Sequence, residues 1–124
     1  MLIAAFIALY ALFGGDVGFD QVFRDLDKGL VREHVDSEDT REQLFAASEE
    51  LAVALEANRE RLAKHIESFM ELQMDREASR EAYAQLNGDI SALLEERAGA
   101  ALETRRKMHS MLTREEWNGV FATQ

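Results

Sequence analysis

Apolar positions fall along this chain in three patterns. Residues 1–13, MLIAAFIALYALF, are unbroken and apolar apart from the Tyr10 hydroxyl. From Phe19 to Val31 the apolar residues gather on one helical face: Phe19, Val22, Phe23, Leu26 and Leu30. From Leu44 a heptad-like seam runs through Leu44, Ser48, Leu51, Leu55, Asn58, Leu62, His65, Phe69 and Leu72. Its apolar members stand three, four or seven apart, the spacing of a helix packed on another helix. Ser48, Asn58 and His65 interrupt the seam and are expected to sit at its edge or set its register.

The phase is lost at QMDREASRE, and a second seam follows: Tyr83, Leu86, Ile90, Leu93, Ala100 or Ala101, Met108, Leu112. The hairpin turn is therefore predicted at Gln73–Ser79, with Asp75 capping the return helix. Asn87-Gly88 is the competing turn, but it leaves unequal arms and an exposed stripe on the longer one. Thr40 with Gln43, or Asp39 with Glu42, makes a capping box that predicts the start of the first long helix. Thr113 with Glu116 makes a second box, ahead of a short last helix, Arg114 to Phe121, that carries Trp117, Val120 and Phe121. The cations Arg105, Arg106 and Lys107 are expected to meet the negative dipole end of the return helix. Leu112 is expected to pack as the staple before the cap. The aromatic face of the last helix can then fold back on the hairpin base.

Composition agrees with an all-α chain. There is no proline, and no glycine from Leu30 to Asn87. The predicted fold is a long antiparallel helical hairpin with short flanking helices, preceded by an N-terminal hydrophobic anchor helix. It divides into residues 1–15, an anchor or signal-like segment, and a hairpin domain over 16–124. A membrane span needs about 20 apolar residues, so the first run is short. It has no basic flank and no clear cleavage site. It reads as an anchor whose start was clipped or placed late, and the base-poor segment after it suits the non-cytoplasmic side. The alternative is a buried core helix.

Charge and chemistry narrow the function. The formal net charge is −10, which disfavours nucleic acid and anionic lipid headgroups as partners. Without cysteine, disulfides and thiolate metal sites are excluded. There is no nucleophile elbow, glycine-rich phosphate loop or His-Glu-x-x-His pattern, so no catalysis is expected. The soft ligands are His34, His65, His109, Met70, Met74, Met108 and Met111, suited to copper, nickel or zinc. With the turn at 73–79, His34 and His109 approach each other, with Met111, Glu33 or Asp36 nearby. They form the candidate metal set, whereas His65 lies far up the hairpin. The plainer reading makes Met108 and Met111 core filler and both histidines surface residues. Met70-x-x-x-Met74, near the turn, is a second, lesser pair.

ETRRKMHSMLTREEWNGVF resembles the second Leu-Thr-x-x-Gln segment of the Spy/CpxP-like periplasmic proteins. The copy here is Leu112-Thr113-Arg114-Glu115-Glu116, with Glu where Gln is usual. Asp39-Thr40-Arg41-Glu42-Gln43 resembles the first copy, with Asp where Leu is usual, and Asp75-Arg76-Glu77-Ala78 resembles the start of the family's return helix. The resemblance spans roughly residues 19–122. It implies a helical, often dimeric protein that binds protein clients or senses envelope or metal stress. With residues 1–13 as anchor, it implies an inner-membrane, single-pass protein with a periplasmic domain. The alternative is a non-catalytic single-pass accessory subunit of a larger membrane complex, and a third reading is a plain dimeric coiled coil.

Overall fold

The computed structural model describes residues 21–122. Phe19 and the apolar run at 1–13, with the anchor helix expected there, lie outside the described residues. The elements in chain order are α1 (Gln21–Arg24), α2 (Lys28–His34), α3 (Glu38–Met74), α4 (Arg80–Met111), α5 (Arg114–Trp117) and a π-helical turn (Asn118–Ala122). There is no strand among the described residues, and α3 and α4 are the long hairpin-like pair.

The single helix expected over Phe19–Val31 is two short ones. Asp27 breaks it: its carboxylate accepts from the backbone N–H of Gly29 at 2.9 Å and of Leu30 at 3.2 Å. That satisfies the first orphan donors of α2. Phe23 is buried, Val22 is exposed, and the fully buried residues here are Val31 and Val35.

The long helices start on serines. Ser37 Oγ accepts from the Thr40 N–H at 3.3 Å, and its carbonyl from the Arg41 N–H at 3.0 Å. Thr40 and Gln43, the box expected to cap α3, therefore lie inside it, Thr40 three residues after the Ser37 cap. At the turn, Ser79 Oγ accepts from the Ala82 N–H at 3.1 Å, so Ser79, not Asp75, caps α4. Asp75 instead folds the turn, accepting from the Glu77 N–H at 2.9 Å. Helix α3 ends at Met74 and α4 begins at Arg80, so the turn falls in the interval 73–79, and Asn87-Gly88 runs on inside α4.

The described residues fall into two compact units. Residues 55–98 form the turn unit. Its core is Leu62 and Ile66 of α3 against Leu86, Ile90 and Leu93 of α4, with Phe69, Leu72 and Leu94 packed on the cluster. Tyr83 closes it near the turn: the ring meets Phe69 edge-on at 6.2 Å, and the hydroxyl donates to the Leu72 carbonyl at 3.2 Å. Residues 21–54 with 99–122 form the terminal unit. Leu44, Ala47, Leu51, Ala101, Met108 and Val120 are buried in it.

The inner-membrane, single-pass placement is corrected. Among the described residues, no helix is long and apolar enough to cross a membrane. Helix α3 carries charged residues throughout, such as Glu49, Glu50, Arg59, Glu60 and Arg61. A buried stripe with charged flanks is the pattern of a helix that packs on protein and faces water.

Candidate functional site

The terminal segment organises one end of the molecule. Thr113 Oγ1 accepts from the Glu116 N–H at 3.1 Å, and the Glu116 carboxylate accepts from the Thr113 N–H at 2.9 Å. This reciprocal box starts α5 directly after α4. The turn it sets brings an aromatic cluster together. Trp117 lies 4.5 Å from Phe121 and 6.3 Å from Phe23, and Phe23 meets Phe121 edge-on at 5.4 Å. Such contacts add to the area the rings bury.

The three cations near the end of α4 do not act as a dipole cap. Arg105 lies over the Trp117 ring, its guanidinium carbon 5.4 Å from the centroid. Arg106 pairs with Glu103 at 3.8 Å, and Lys107 reaches Glu50 of α3 at 3.7 Å. The basic residue in the last turn is His109.

Both histidines of the candidate metal set pack against the terminal segment. The His109 ring meets Trp117 edge-on at 5.5 Å. The His34 ring lies over Gly119, where a Cβ would overlap its Cγ and Nδ1. Met111 is half-buried, and among the described residues the fully buried methionine is Met108. Among the described residues, no group of three or more histidine or carboxylate side chains could hold a metal ion. Transition-metal sites usually need at least three convergent ligands. His34 and His109 thus have packing partners in the terminal segment. Sequence periodicity offers no sign of the His34–Gly119 contact, because it joins positions far apart in the chain.

In the turn unit the polar residues of the seam are built in. Asn58 is 1% exposed. Its amide donates to the Leu93 carbonyl at 2.9 Å and to the Glu96 carboxylate at 2.8 Å. Arg61 pairs with the same carboxylate. The Asn58 amide, the Arg61 hydrogen bond and the Arg61 charge outweigh desolvation and hold the Glu96 carboxyl below its ordinary range. His65 sits at the seam edge, with Nδ1 2.8 Å from the Arg61 carbonyl and Nε2 3.8 Å from the Asp89 carboxylate. Ser48, in the terminal unit, donates to the Arg24 carbonyl at 2.5 Å. All three seam interruptions thus have polar partners.

The turn unit also presents apolar side chains outward. Met70 is 57% exposed and Met74, the last residue of α3, is 88% exposed. No protein-family model, curated protein or solved structure matches this chain. The likeness to Spy/CpxP-like proteins therefore rests on the two Thr-x-x-Gln/Glu segments and the run at 75–78.

Proposed function

We propose that this chain is a non-catalytic, protein-binding helical hairpin of the Spy/CpxP-like kind, which takes a client segment on the methionines beside its turn. The observation that carries the reading is the exposure of Met70 and Met74 next to the packed ring pair Phe69 and Tyr83. Methionine is unbranched and polarizable, so it adapts to apolar partners of different shapes. Acidic residues around it, among them Glu71, Asp75 and Glu77, keep such a surface soluble and favour clients with basic flanks.

The test is suppression of aggregation of a chemically unfolded model protein as it is diluted into buffer. Wild-type protein in slight excess should reduce the light scattering several-fold, and Met70→Ser with Met74→Ser should lose most of the effect. The variant should keep its helicity, because both side chains project into solvent. Equal suppression by wild type and variant overturns the methionine reading, and no suppression by either overturns client binding.

A further inference from the structure

The terminal unit contains a cleft that neither the caps nor the aromatic cluster uses. Its volume is about 550 Å³, within the range of small-molecule sites. Arg24, Lys28 and Arg32 line one side, and Phe45, Ser48 and Ala52 of α3 line the other. The bond from Ser48 Oγ to the Arg24 carbonyl holds the two sides together at one corner. Lys28 Nζ stands 6.0 Å from the Phe45 ring centroid. Arg24 is committed to Asp25 at 3.1 Å. Lys28 and Arg32 have no ion-pair partner among the described residues.

The placement runs against the charge of the chain. A protein of net charge −10 has 14 lysines and arginines, and three of them line this one cleft, opposed by Asp25 and Glu49. Two cations without an ion-pair partner among the described residues, beside an aromatic ring and a small apolar floor, fit a ligand with two parts. Arginine matches an oxyanion with paired N–H groups, and lysine adds a point charge. Phe45, Leu26 and Ala52 would cover an apolar body.

We infer that this cleft binds a small organic oxyanion, a carboxylate or phosphate ester with an aromatic or short aliphatic body. The head sits between Lys28 and Arg32, and the body lies against Phe45. This site is separate from the methionines of the turn unit, and either can fail without the other.

The test is a titration of the full chain, followed by backbone amide NMR, with phenyl phosphate, benzoate, inorganic phosphate and benzyl alcohol. Saturable shifts confined to residues 24–52 are expected with phenyl phosphate or benzoate, and their ratio tells which head is preferred. Inorganic phosphate and benzyl alcohol should each bind at least about tenfold more weakly, since each supplies half of the recognition. Lys28→Glu with Arg32→Glu should weaken the better ligand by about tenfold or more. Both side chains are exposed, so helicity and Trp117 emission should not change. Inorganic phosphate binding as well as phenyl phosphate, shifts that do not saturate, or a variant that binds like wild type would each overturn the inference.

Discussion

The His34 ring occupies the space that a side chain at Gly119 would need. A buried glycine in the π-helical turn thus lets α2 and the end of the chain meet at van der Waals distance. Gly119→Ala should lower stability by about 1–3 kcal/mol, the usual cost of overpacking. Adding His34→Ala should recover part of that loss. Gly88→Ala should act the other way, because nothing beyond its chain neighbours and the backbone of its own helix lies within 4 Å of its missing Cβ. Inside a helix that change should stabilise by up to about 1 kcal/mol. Urea denaturation of these three variants and the wild type checks all of this. If His34→Ala leaves the Gly119→Ala loss untouched, the overlap is not its cause.

The buried amide of Asn58 should make the turn unit sensitive to acid. Glu96 has a folded pKa lowered from 4.5, first by Asn58 and then by Arg61. A lowered carboxylate contributes stability that is present above its unfolded pKa. That contribution is lost as pH falls through the folded value. Glu96 is half exposed, so the contribution is small and weakens in salt. Asn58→Leu should lose less stability than wild type between about pH 6 and pH 3. Denaturation midpoints at the two pH values test it, and equal losses would contradict it.

The Thr113–Glu116 box should support the terminal unit. Thr113→Ala should cost about 1 kcal/mol, and it should shift Trp117 emission toward the red as the ring leaves Phe23 and Phe121. Thr40→Ala should cost less than Ser37→Ala, because Ser37 holds the cap of α3. The reverse order would return the cap to Thr40.

The seams were legible because burial repeats every three or four residues in both long helices. Leu44, Leu51, Leu55 and Leu62 on α3 and Leu86, Ile90, Leu93 and Met108 on α4 are all buried. The caps were less legible. Ser37, Asp39 and Thr40 lie within four positions, and the angle at which the chain enters the helix decides which side chain reaches an N–H. The break at Asp27 was hidden by an apolar face that continues across it. The candidate metal set was chosen by chain spacing alone. What His34 and His109 touch depends on Gly119 and Trp117, which only the folded terminal segment brings near.

With both imidazoles packed this way, copper, nickel or zinc should find no site tighter than about millimolar. Calorimetric titration of the folded chain tests this. A micromolar site that His34→Ala and His109→Ala each abolish would contradict it and restore a metal sensor.

The most direct test of the proposed function uses protein labelled with carbon-13 at its methionine methyls. An unfolded model client is added, and each methyl resonance is followed. The account predicts that Met70 and Met74 shift or broaden saturably, while Met108, fully buried in the terminal unit, does not. If a client binds and the Met70 and Met74 signals stay unchanged, the hairpin does not take its partners beside the turn.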